Sequence, residues 1–110
     1  MQPKKIALLA RELALDKKAE SPVVLDLSKL TSVAHYFVIL HGNSDRHVRA
    51  IAHHLIESLK EKKVKLWHRE GMESGQWVLL DFGDVIAHIF YGPVREFYSL
   101  ERLWGDAPRL

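Results

Sequence analysis

Apolar residues recur at helical spacing near the start of the chain, at Ile6, Leu9, Ala10 and Leu13, behind a proline at position 3 that suits a first helical turn. Lys17 and Lys18 close this amphipathic segment and Ser21-Pro22 breaks it. The period then changes. Val23 to Leu27 is a β-branched run of strand length, Ser28 to Ala34 reads as a loop, and His35 to His41 is almost continuously apolar and aromatic. A run of that kind fits a strand buried on both faces, so a central strand is expected there.

Gly42-Asn43-Ser44-Asp45 turns the chain into a second helix, with Ser44 as N-cap and Asp45 placing negative charge where the helix dipole favours it. Val48, Ile51, Ala52, Leu55, Ile56 and Leu59 form its apolar stripe, while Arg46, Arg49, His53, Glu57 and Lys60 fall elsewhere. Val64 to His68 reads as the next strand and Glu70 to Gly75 as a flexible loop.

The strongest local signal is Gln76 to Tyr91, two strand-like runs joined by Gly83-Asp84, a dipeptide suited to a two-residue hairpin turn. That turn sets a register: Phe82 faces Val85, Asp81 faces Ile86, Leu80 faces Ala87, Leu79 faces His88, Val78 faces Ile89 and Trp77 faces Phe90. One face of the hairpin then carries Val78, Leu80, Phe82, Val85, Ala87 and Ile89 and must lie against helices. The other carries Trp77, Leu79, Asp81, Ile86, His88 and Phe90, large apolar groups mixed with an acid and an imidazole.

After Gly92-Pro93, the residues Phe97, Tyr98, Leu100, Glu101, Leu103 and Trp104 predict a short C-terminal helix or two helical turns, with 105–110 as a frayed tail. The order α-β-β-α-β-β-β-α places the chain in the α/β class. It predicts a single domain over 1–110 with one mixed sheet of about five strands and flanking helices.

Composition narrows the chemistry. The 110 residues are 47% hydrophobic and 27% charged, an ordinary globular balance, and cysteine is absent. Disulfide frameworks, thiolate zinc sites, iron–sulfur clusters and cysteine nucleophiles are thereby excluded, and a reducing compartment fits. The apolar run Tyr36 to Leu40 is far below the roughly 20 residues a membrane span needs. The start has no uncharged signal-peptide core, so a cytoplasmic chain is expected. The net charge of +2 is too small for a dedicated nucleic-acid binder. The dense run Lys60, Lys62, Lys63 and Lys65 reads as a solvated helix end, with phosphate contact as its alternative.

Seven histidines raise the question of metal or catalysis, but His47 and His54 have no recognised ligand spacing and no nameable third ligand. Asp81-Phe82-Gly83 spells the magnesium tripeptide of protein kinases without any of its companion motifs, and the glycine is explained by the turn. Gly42-Asn43-Ser44 could receive a phosphate, though helix capping accounts for it. The nearest carboxylate pair, Asp81 and Asp84, flanks a turn rather than alternating on one strand, which suits magnesium poorly. No catalytic constellation, metal or cofactor follows. The mixed face of the hairpin reads as a binding surface, with Trp77 and Phe90 as anchors and Asp81 and His88 orienting, unless a C-terminal helix or a second copy covers it.

Tyr36-Phe37-Val38-Ile39, Gly42-Asn43-Ser44-Asp45-Arg46-His47-Val48 with Ile51-Ala52, the segment Trp77 to Phe90, and then Arg95, Tyr98, Leu100-Glu101 and Leu103-Trp104 together resemble the ribosomal silencing factor family, also called Iojap. The resemblance runs from about Ile6 to Trp104. It implies a nucleotidyltransferase-like fold without the catalytic carboxylates, and a protein that is not an enzyme. It implies binding of the large ribosomal subunit at ribosomal protein L-fourteen, with steric blocking of small-subunit joining when nutrients are scarce. Carried onto this sequence, the partner-binding surface comprises Trp77, Leu79, Asp81, Asp84, His88 and Phe90, with Arg95 and Tyr98 beside it. His35 departs from the acidic residue that relatives commonly place before the Tyr-Phe pair. A nucleotidyltransferase-type enzyme and a general RNA-binding protein are the competing functions, and dimerisation of the free chain and minor ribosomal RNA contact stay open.

Overall fold

A computed structural model describes all of residues 1–110. Its elements follow as α1 (Pro3–Asp16), β1 (Glu20–Asp26), β2 (Tyr36–Gly42), α2 (Asp45–Glu61), β3 (His68–Glu70), β4 (Trp77–Asp81), β5 (Val85–Tyr91), α3 (Gly92–Tyr98) and α4 (Leu100–Leu103). The five strands form one mixed sheet in the order β1-β2-β5-β4-β3, with β2 and β5 parallel and the other neighbouring pairs antiparallel. The α/β class and single mixed sheet expected from the pattern are the observed ones.

The hairpin register is the predicted one, from Trp77 opposite Phe90 to Asp81 opposite Ile86. Gly83 takes φ +94 at the first position of the two-residue loop, and the Phe82 amide donates to the Val85 carbonyl at 2.9 Å to close it. Val78, Leu80, Phe82, Val85, Ala87 and Ile89 pack with α1 and α2 in one core. Ile86 and Phe90 join Leu25, Leu27, Phe37 and Ile39 in a second core on the opposite face of the sheet. Period-2 alternation along the two hairpin strands is what divides the molecule into these two layers.

Ser44 caps α2 as expected, its hydroxyl accepting from the His47 amide at 3.0 Å. His47 also serves as a link. Its Nδ1 accepts from the Asn43 amide at 3.0 Å, so Nε2 carries the proton and donates to the Lys17 carbonyl at 2.7 Å, tying the end of α1 to the start of α2. A side chain at Gly42 would put its Cβ 2.9 Å from His47 Nδ1.

β2 is the interior strand expected, paired on both edges and buried at five of its seven positions, and β5 beside it is the middle strand of the sheet, buried at six of seven. Two expectations are corrected. The strand expected at Val64 to His68 begins only at His68, because its partner β4 ends at Asp81, opposite His68, and the Trp67 amide, donating to the Asp81 carbonyl at 2.8 Å, makes the last bond of the ladder. The frayed tail is in fact anchored. The Asp26 amide donates to the Pro108 carbonyl at 2.8 Å and the Leu110 amide to the Val24 carbonyl at 2.9 Å, so the last residues run along the free edge of β1 while Ala107 is buried. That hydrogen-bonding opportunity is created by the sheet and has no local signature.

Candidate partner-binding face

The second face of the hairpin is partly roofed. Val94, Leu100, Trp104 and Ala107, from the C-terminal segment, pack over Leu25, Phe37, Ile39, Ile86 and Phe90. Phe37 meets the Trp104 ring edge-on at 5.9 Å between centroids. The cover stops short of β4. There Trp77, half-buried, stacks at a tilt on Phe90 below it (4.9 Å) and on Tyr98 beside it (4.7 Å). Phe97 lies nearly parallel to Tyr98 at 5.1 Å and is 74% exposed, with Tyr98 54% exposed. The resulting groove of about 490 Å³ is lined by Ser74, Gln76, Trp77, Tyr91, Pro93, Val94, Phe97 and Tyr98.

His88 positions Trp77. The indole Nε1–H donates to His88 Nδ1 at 3.1 Å, which leaves the imidazole proton on Nε2, buried and without a partner. Burial holds the His88 pKa down to about 4, so near neutral pH the ring is uncharged and keeps its acceptor for the indole. Phe37 packs against it edge-on at 4.6 Å. Trp77 therefore has its rotamer set from three sides: a hydrogen bond, a buried ring beneath and an aromatic flank.

The eight residues expected at the surface divide by depth. Trp77, Leu79 and Asp81 are half-buried along β4, and Asp84 and Tyr98 are exposed. Asp81 Oδ1 accepts from the Gly83 amide at 2.7 Å, so this carboxylate also braces the hairpin turn. His88, Phe90 and Arg95 are buried in the free chain. Arg95 turns away from the groove, donating from Nε to Glu101 Oε1 at 3.1 Å and from Nη1 to His41 Nδ1 at 2.9 Å. Phe97, exposed beside Tyr98, is an aromatic on this face that sequence reasoning did not single out for it. Its signal was adjacency to Tyr98 on a helix too short to bury both rings. No group of three or more His, Asp or Glu side chains is placed to hold a metal ion.

The family model described as ribosomal silencing factor during starvation matches residues 1–110. A ribosomal silencing factor of Halalkalibacterium halodurans is 43% identical over 98% of this chain and 92% of its own. A mouse protein named for mitochondrial assembly of the ribosomal large subunit is 39% identical over 63% of this chain and 32% of its own. A crystal structure of a Chromobacterium violaceum protein superposes with a TM-score of 0.93 at 42% identity, covering 96% of this chain and 88% of that one. The chain belongs to the ribosomal silencing factor family.

Proposed function

We propose that this chain represses translation in the bacterial cytoplasm by docking its Trp77–Tyr98 face on ribosomal protein L-fourteen of the large subunit, where its bulk keeps the small subunit from joining. The observation that carries the reading is the aromatic groove. Trp77, Phe97 and Tyr98 form a contiguous apolar patch that no element of the chain covers, and Trp77 is held in place before any partner arrives. Leu79, Asp81 and Asp84 extend the patch along β4 and its turn, with Asp84 supplying charge at the rim. His88 and Phe90 act from beneath as support, and Arg95 holds α3 at its angle. Silencing is then occupancy of a surface, with no bond made or broken, which agrees with the separation of Asp81 and Asp84 across a turn.

The experiment is co-sedimentation of the purified chain with isolated large and small subunits, followed by addition of the missing subunit. Binding to large subunits alone, with assembled ribosomes reduced, is expected. Trp77→Ala should weaken large-subunit binding by about 2 kcal/mol or more, the range of a central aromatic anchor. Equal affinity for both subunits, or unimpeded joining at saturation, would remove the proposal.

A further inference from the structure

We infer that the cleft at the carboxyl ends of β2 and β5 is a binding site for a compact ligand carrying two or more phosphoryl groups. The site goes beyond the silencing reading and lies across α3 from the aromatic groove. β2 and β5 are parallel neighbours, and the chain leaves them toward opposite faces: β2 leads into α2, whose Val48, Ile51 and Leu55 pack in the first core, while β5 leads into α3, whose Val94 packs on the second. Divergence of that kind opens a crevice beyond the strand ends, the position where open α/β sheets receive ligands.

The crevice here has a volume of about 950 Å³ and is walled by polar, charged, glycine and proline residues only. Its floor is Arg95, a guanidinium with just 7% of the residue exposed. Nε is bound to Glu101 (3.1 Å), and Nη1 to the Glu20 carbonyl (3.3 Å) and to His41 Nδ1 (2.9 Å). His41 is fixed in turn, its Nε2–H donating to Glu20 Oε2 at 2.9 Å. This network immobilises the guanidinium yet leaves Nη2 without a partner and not sealed from solvent.

Above the floor stand Arg102 and Arg109, both exposed, and neither side chain makes an ion pair or hydrogen bond within the chain. Of the two acids in the wall, Glu101 is already engaged by Arg95 and Glu96 lies exposed at the rim. Ser21 (φ +47) and Ser99 (φ +46) also line the cleft. They are two of the four non-glycine residues with left-handed backbone, a conformation that gathers at ligand sites.

The ligand class follows from the wall chemistry. Guanidinium forks match phosphoryl oxygens two at a time, and one rigid and two mobile forks suit more than one phosphoryl group. With no hydrophobic side chain in the wall to receive a nucleobase, recognition rests on the phosphoryl groups themselves. Arg102 and Arg109 belong to the segment that roofs the second core, so the ligand would also fasten that segment to β1 and β2.

The test is titration of the whole chain with inorganic diphosphate at low salt, followed by backbone amide NMR, with phosphate and sulfate in parallel. Saturable shifts centred on Ser21, Ser99, Arg102 and Gly105 are expected, with diphosphate bound more tightly than either single anion. Arg102→Gln and Arg109→Gln should each weaken binding about tenfold, while Lys60→Gln/Lys63→Gln leaves it unchanged. Both arginines are exposed, so the variants' unperturbed spectra provide the check on folding. Shifts that do not saturate, that centre on the lysine run, or that persist in the arginine variants would overturn the assignment. Large-subunit binding is read separately, so loss of one property leaves the other measurable.

Discussion

His88 illustrates how a single side chain can serve geometry at a cost in acid tolerance. Its ring is neutral in the fold because burial lowers its pKa from 6.5 to about 4. In the unfolded chain it protonates near the ordinary value. Between these two values the unfolded state binds more protons than the native state, so stability rises with pH, is complete above about 6.5 and is lost as pH falls toward 4. The span corresponds to about 3 kcal/mol. His88→Gln keeps a side-chain acceptor for the Trp77 indole without the titration. Urea unfolding at pH 7 and pH 4.5 should show a smaller acid loss in the variant, and an equal loss would mean that His88 is not the sensitive group. Trp77 and its partner Phe90 were recognisable as anchors from alternation alone, since both fall on the mixed face. That Phe90 lies beneath the surface and Trp77 at it was not, because depth depends on where Leu100 and Trp104 come to rest.

At the scale of elements, local chemistry and close approach separate cleanly in two glycines. Gly83 and Gly71 both have positive φ, at +94 and +85, yet an added Cβ would sit 3.4 Å from the Trp67 indole at Gly83 and 1.9 Å from the Trp77 carbonyl at Gly71. Gly83→Ala should therefore cost about 1 kcal/mol, the penalty of the backbone conformation. Gly71→Ala carries that penalty plus a clash with main chain, so its cost should be larger and Trp77 should shift. Denaturant unfolding of both variants checks the order, and an equal cost would show that the loop before β4 yields freely. Gly83 was legible as a turn residue from its position between two apolar runs. Gly71 looked like any loop glycine, since the carbonyl it must clear belongs to a strand six residues on. Ser44 was equally legible, because a cap is chosen within one helical turn, and Ser44→Ala should cost about 1 kcal/mol in the same assay.

For the molecule as a whole, the C-terminal segment decides which apolar surface is free. It roofs the second core over β2 and β5 with Leu100, Trp104 and Ala107, and then runs beside β1, where the two main-chain hydrogen bonds of the isolated Leu25–Arg109 bridge hold it. Arg11 reaches across from α1 to donate to the Leu110 carbonyl at 2.8 Å. A chain ending at Trp104 loses these bonds and uncovers a sheet edge. At about 1 kcal/mol for each lost main-chain hydrogen bond, it should be destabilised by about 2 kcal/mol. Thermal unfolding should show a midpoint lower by roughly 10 °C. Size-exclusion chromatography should show association through β1, as bare edge strands invite pairing. An unchanged midpoint would mean that the segment is a passive appendage.

What the sequence alone determined is whatever short-range patterning controls. It specified the order of elements, the cap of α2, the two-residue turn at Gly83-Asp84, the hairpin register that follows from it, and the sorting of side chains between two faces, all of which depend on residues within a few positions of one another. The family, too, was legible, because its motifs survive as contiguous words. Tertiary structure decided everything that depends on long separation in the chain. It set β5 beside β2 in the middle of the sheet, because parallel pairing joins segments 49 residues apart, as Tyr36 and Val85 show. It drew the tail onto β1, sank His88 and Phe90 beneath the surface, left Phe97 outside, and closed Arg95, His41, Glu20 and Glu101 into one network. Those outcomes follow from which surfaces remain unburied once the sheet has formed, a quantity that exists only in three dimensions.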